Sequence, residues 1–122
     1  MSWRQRKGLR FEDRARIYLE HRGLSLLAQN FRGRRGEIDL VMREGDSICF
    51  VEVKYRESLA YGGAASAIPR EKQRKIVETA LLFLASHPDL AGLAPRFDAL
   101  LIQGRSDGSE DIDWIRNAFY AE

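Results

Sequence analysis

The 122-residue sequence contains one cysteine, Cys49, and two histidines, His21 and His87. A lone cysteine excludes an internal disulfide, and no Cys/His grouping has the spacing of a zinc site. This usage fits a reducing, cytoplasmic setting. Long apolar runs are also missing: none approaches the ~20 residues of a membrane helix, and mean hydropathy is -0.40. No membrane association is expected. The opening MSWRQRKG has no apolar segment, so no secretory signal is expected either. Internal repeats and low-complexity linkers are absent. No Gly-x-Ser-x-Gly or Cys/His pair supports nucleophilic catalysis. Gly62-Gly63 is not followed by the Gly-Lys-Ser/Thr of a phosphate-binding loop.

What is present suffices for a core. The chain is 44% hydrophobic and 10% aromatic at the usual length of one domain, here taken as 1–122. Its 20 Lys+Arg nearly balance 18 Asp+Glu, but the distribution is uneven. The first 35 residues hold ten bases and three acids, whereas the last 16 hold five acids and Arg116 alone. A basic end suggests a polyanionic partner; a solvated, Arg-rich helix face accounts for the charge equally well.

Residues 4–22 read as a helix stopped by Gly23. Leu24–Phe31 reads as a short strand, and Asn30–Gly36 as a loop. Glu37–Arg43 and Ser47–Arg56 read as strands joined at Gly45-Asp46. After a loop at 57–68, Pro69–Ser86 reads as a helix with Ile76, Val77, Ala80, Leu81 and Leu84 on its buried stripe, ended by Pro88. Arg96–Gln103 and Asp111–Phe119 complete the order as strands. The class is α/β, a central mixed sheet flanked by helices.

The hairpin fixes a register. With a two-residue turn, Glu44 faces Ser47, Asp39 faces Glu52 and Glu37 faces Lys54. Facing residues, and residues two apart, share one side of a sheet. Glu37, Asp39, Glu52 and Lys54 are thus expected on one face. Ile38, Leu40, Cys49, Val51 and Val53 are expected on an apolar opposite face. Clustered acids on a hairpin are unfavourable by up to ~1 kcal/mol per like-charged pair. Two facing carboxylates are what Mg²⁺ or Mn²⁺ takes beside phosphate oxygens and water. A neighbouring lysine can position or deprotonate water and neutralise a phosphorane-like transition state. A wet face held by ion pairs such as Glu37–Lys54 is the plainer explanation. Glu12, near the inner stripe of the first helix with Ala15 and Leu19, either pairs with Arg16 or leans over the sheet to complete the site. Asp98 reads as a structural ion-pair member rather than a metal ligand. Tyr55 falls on the apolar side by parity, and Tyr61 is undetermined between loop and base stacking.

Asp39 followed by Glu52-Val53-Lys54 matches the D…(D/E)-x-K signature of restriction-endonuclease-like nucleases. The element order is similar to their αβββαβ core. More closely, the chain resembles the bacterial YraN-like family of predicted endonucleases. The matching stretches are Lys7-Gly8, Glu12, Ala15, Leu19, Asn30, Gly36–Val41, Phe50–Arg56 and Arg96–Asp98. The resemblance implies that Asp39 and Glu52 are metal-binding acids and Lys54 the catalytic lysine. It implies that Glu12 matches the helix-one glutamate of archaeal Holliday-junction resolvases, and that Arg56 contacts phosphate. Arg34, Arg35, Lys72 and Lys75 are expected to bind nucleic acid nearby. The Q-x-x-x-Y motif of RecB-like nucleases is incomplete, since Val77 follows Gln73 four residues on. The implied function is Mg²⁺- or Mn²⁺-dependent endonucleolytic cleavage of DNA, branched or flapped, with RNA as an open alternative. Resolvase-like members act as dimers, so the resemblance admits a homodimer. A different class of reading is a non-catalytic nucleic-acid-binding adaptor on the same fold.

Overall fold

A computed structural model describes residues 10–56 and 68–121. Helix α1 spans Phe11–Glu20, strand β1 Ser25–Arg32, β2 Glu37–Glu44 and β3 Ser47–Arg56. Helix α2 spans Arg70–Ser86; a 3-10 turn at Pro88–Leu90 leads to β4, Ala94–Gly104, and β5, Glu110–Phe119. The start of the expected first helix, and the loop carrying Tyr61 and Gly62-Gly63, lie outside the described residues.

Among the described residues, five strands form one mixed sheet in the order β1-β2-β3-β4-β5. Neighbours are antiparallel except β3 and β4, which are parallel from Ser47↔Ala94 to Arg56↔Gln103. A parallel pair needs a crossover, and α2 lies within it. The architecture is α/β, consistent with a restriction-endonuclease-like core.

Both faces of the sheet are covered, which corrects the expectation of one apolar and one polar face. Ala15 and Leu19 of α1 pack on Leu40, Met42, Cys49, Val51, Leu100 and Ile102. Ile76, Ala80 and Phe83 of α2 pack on Ile38, Val41, Ile48, Phe50, Phe97 and Ala99. Strands buried on both sides carry nearly continuous apolar runs rather than alternation, and IDLVM and ICFV are such runs.

Gly23 ends α1 as its sequence position suggests. With φ at +95°, it lets Leu24 N–H reach Leu19 O at 3.1 Å and its own N–H reach Glu20 O at 3.1 Å. This double closure satisfies the last carbonyls of the helix. Asp13 Oδ1 then accepts a 2.8 Å bond from Gln29 Nε2, tying α1 to β1.

The hairpin register holds from Glu44↔Ser47 to Leu40↔Val51. Beyond it the ladder stops, and Asp39 Oδ2 accepts the Val53 N–H at 2.8 Å. Opposite Asp39, between the pairs Gln29↔Leu40 and Phe31↔Ile38, stands Asn30, with φ at +54°. Left-handed backbone is tolerated by Asn far better than by a branched residue. It swivels the end of this strand pair. Ile38 therefore shares the α2 core with Val41, while Leu40 faces α1. This corrects the placement of Ile38 beside Leu40, and β1 runs on to Arg32 where a loop was expected.

Candidate functional site

The swivel brings Asp39 and Glu52 together by side chain rather than by ladder pairing. Glu52 sits on the α2-facing side of β3 and is 7% exposed. Its carboxyl lies near enough to that of Asp39 to act on it. Burial, the Glu52 carboxyl and the more distant Glu12 charge push Asp39 up to about 8, against an opposing pull from the Val53 N–H. A second carboxyl beside it favours the protonated form of Asp39.

Positive charge approaches the pair from α2. Lys72 Nζ lies 2.9 Å from Glu52 Oε2, yet that buried oxygen accepts no well-aligned hydrogen bond. Lys54, two residues beyond Glu52, is partly buried and is drawn below the usual lysine range. Burial is the main cause, the Lys72 and Arg56 charges add to it, and Glu52 opposes. A recess lined by Glu37, Ile38, Asp39, Val51, Glu52 and Ile76 adjoins a cleft of about 400 Å³ that also holds Gly36, Lys72 and Lys75. The turn before β2 is pressed onto α2. A Cβ at Gly36 would meet Thr79 Oγ1 at 3.2 Å and Lys75 Cβ at 3.3 Å, so a small residue is needed for β2 to enter the site at this angle.

Other expected residues are placed differently. Glu37 pairs with Arg32 across β1 at 3.0 Å; the expected Glu37–Lys54 facing pair fails because the ladder has ended. Glu12 does not pair with Arg16, which bridges Glu20 at 2.7 Å instead. Glu12 stays on α1 in an ion pair with Arg10 at 3.2 Å. Arg35 stands 4.0 Å from Glu78, six residues along α2 from Lys72 and hence ~9 Å down the helix. Arg34 is exposed on the same turn. Arg56 closes β3 near Lys54.

Asp98 is fully buried and structural, as expected. It accepts bonds from Arg96 Nε at 2.9 Å, Trp114 Nε1 at 3.0 Å and Asn117 N at 3.1 Å. Tyr55 packs on the α1 side, its ring stacked 4.1 Å from Phe11. Gln73, from the incomplete motif, donates to Ile68 O at 2.8 Å and anchors the entry to α2.

The donor set suits a hard divalent cation. Both groups are carboxylates, one buried oxygen lacks an aligned donor, and the pair carries too little compensating charge to ionise fully. Asp39 and Glu52 would hold such an ion. Among the described residues, no group of three or more His, Cys, Asp or Glu side chains converges on one position. The other ligands would therefore come from water, backbone or substrate.

Two features escaped sequence reasoning. The positive φ of Asn30 was signalled only by an asparagine inside an apolar strand. The Lys72–Glu52 contact had no local signal, because it spans the crossover.

The profile of the family described as uncharacterised protein family UPF0102 matches residues 11–102. A UPF0102 protein of Xanthomonas campestris is 47% identical over 95% of this chain and 93% of its own length. One from Nitrosomonas europaea is 45% identical over 98% of both chains. One from Pseudomonas fluorescens is 43% identical over 94% of each. No described helix is long and apolar enough to cross a membrane. On this match along nearly its whole length, the chain belongs to the UPF0102 family.

Proposed function

We propose that the protein is a metal-dependent endonuclease that hydrolyses phosphodiester bonds in DNA, with branched and flapped DNA among the candidate substrates. One observation carries the reading: two carboxyl groups forced together at the splayed end of a hairpin, beside a lysine-rimmed cleft. A structural ion network would neutralise such a pair, whereas here burial and the Glu52 carboxyl push Asp39 well above the usual carboxyl range.

Asp39 and Glu52 are the proposed ligands of Mg²⁺ or Mn²⁺; Glu12, paired with Arg10 on α1, contributes negative charge from a distance. When bound, the ion supplies Lewis-acid activation of water and charge stabilisation on the phosphate. Lys54, on the face of Glu52 and with its ammonium weakened by burial, orients the attacking water and can take its proton. Val53 N–H fixes the Asp39 carboxyl in place. Lys72, Lys75 and Arg56 line the approach of the phosphate backbone, and Arg34 and Arg35 extend it along the outside of α2.

The test is cleavage of linear, flapped and four-way DNA with Mg²⁺ or Mn²⁺, with Asp39→Ala run in parallel. Cutting that needs metal, is lost in the variant, and leaves DNA binding in place supports the reading. Metal-independent, salt-sensitive binding that tolerates substitution of both acids points instead to the non-catalytic adaptor. The absence of a third converging carboxylate among the described residues is the observation on that side.

A further inference from the structure

Lys72 reaches from α2 to the carboxylate dyad through an ion pair with Glu52. It reaches in from a half-exposed position, with 48% of its side chain accessible, to a carboxylate that is 7% accessible. The ammonium thus has solvent to withdraw into, and Glu52 has none. Its Nζ sits 2.9 Å from the oxygen that otherwise lacks an aligned donor, so its place is one an incoming cation needs. It also lines the open cleft together with Lys75, one turn further along α2. Swinging off Glu52 would leave it in the path of a polyanion.

We propose that Lys72 is a tethered counter-cation that occupies Glu52 in the resting protein and is displaced into the cleft when a divalent ion binds. Lys72 is thereby a positioning residue with two stations, one on Glu52 and one on the phosphate backbone. The cleft gains a cation when the dyad gains its metal. The inference rests on Asp39 and Glu52 being the metal ligands, as proposed above.

Direct Mn²⁺ titration of the full chain without DNA, followed by electron paramagnetic resonance of the free ion, tests it. Lys72→Met should bind Mn²⁺ about tenfold more tightly than the parent, the scale of one charge-assisted contact removed. Lys72→Arg, which keeps the cation, should stay within about twofold of the parent. Lys75→Met, which removes a cleft charge without a carboxylate contact, should gain clearly less than Lys72→Met. In the parent, modification of Lys72 by an amine-reactive label, read by mass spectrometry, should rise several-fold on adding Mn²⁺ while Lys75 stays constant. Equal affinities for parent and Lys72→Met, an equal gain for Lys75→Met, or Lys72 labelling unmoved by Mn²⁺ would overturn the displacement while leaving the metal site standing. Failure of parent and variant alike to bind Mn²⁺ would refute the metal site, and the displacement with it.

Discussion

Asp39→Asn should make the metal-free protein more stable at pH 8, although it destroys the proposed activity. Burial and the Glu52 carboxyl raise Asp39 from 3.8 to about 8 in the fold, so the native state holds a proton that the unfolded chain releases. For a carboxyl raised in this way, the stabilisation is fully present below about pH 3.8. It is lost progressively as pH rises towards about 8. A shift of about four units corresponds to a ceiling of ~6 kcal/mol at 1.36 kcal/mol per unit. Coupling to Glu52, and water reaching the half-buried Asp39, reduce this to about 2–3 kcal/mol. Asparagine imitates the protonated acid. Its Oδ1 still accepts the Val53 N–H, and its Nδ2 donates to Glu52 with no proton to lose. For a chain of this size ~1 kcal/mol moves Tm by roughly 4 °C. The variant should therefore melt roughly 10 °C above the parent at pH 8 and converge with it near pH 4. Scanning calorimetry of both proteins in chelator, from pH 4 to 8, checks this, and the difference cancels His21 and His87. Added Mg²⁺ should raise the parent's Tm at pH 8 and leave the variant's unchanged. A parent curve flat across this range, or a variant less stable than the parent at pH 8, would refute the raised Asp39 carboxyl.

Three further outcomes follow from the geometry. Gly23→Ala forces a Cβ into a +95° φ and should cost about 1 kcal/mol, read as a lower urea midpoint with an unchanged slope. Asp98→Ala removes the buried acceptor of Arg96, Trp114 Nε1 and the Asn117 N–H, leaving Arg96 its Glu44 ion pair, and should cost about 2–3 kcal/mol, read as a lower urea midpoint; Asp98→Asn, which keeps one acceptor oxygen, should lose clearly less. Lys54→Met should lower cleavage by two or more orders of magnitude while Mn²⁺ affinity stays the same or tightens, so loss of metal binding in that variant would place Lys54 in the structure of the site rather than in its chemistry.

The parts of the fold visible in the sequence are those governed by local signals. Gly45-Asp46 fixed the hairpin register through Leu40↔Val51, Gly23 marked the end of α1, and the helical stripe of Ile76, Val77, Ala80, Leu81 and Leu84 located α2, although Leu81 is exposed and Phe83 takes the buried place. Strict alternation failed at Ile38 because alternation presumes β-backbone throughout, and Asn30 departs from it on the neighbouring strand. A left-handed residue on one strand changes the facing of residues on the next, which no window along either strand contains. For the same reason Glu37 was matched to Lys54 rather than Arg32. The expected facing pair of Asp39 and Glu52 is absent, since the ladder ends at Leu40↔Val51; the two carboxyls come near one another by side chain instead.

That swivel links stability to the proposed chemistry. In an unbroken ladder, the Val53 N–H would bond to backbone on β2, and Asp39 would stand upright on one face with solvent to screen it. Instead Asp39 takes over the ladder acceptor role, which draws its carboxyl into the splayed end of the hairpin beside Glu52 and away from water. The resulting repulsion is relieved incompletely by a proton and by Lys72, a monovalent cation with room to leave. A divalent ion supplies twice the charge at the same place and has no side-chain entropy to lose. The less completely the protein neutralises its own dyad, the more of the ion's binding energy goes into affinity. The instability expected of the metal-free protein at pH 8 and the proposed avidity for metal are thus two readings of one electrostatic deficit. Asp39→Asn should abolish both together.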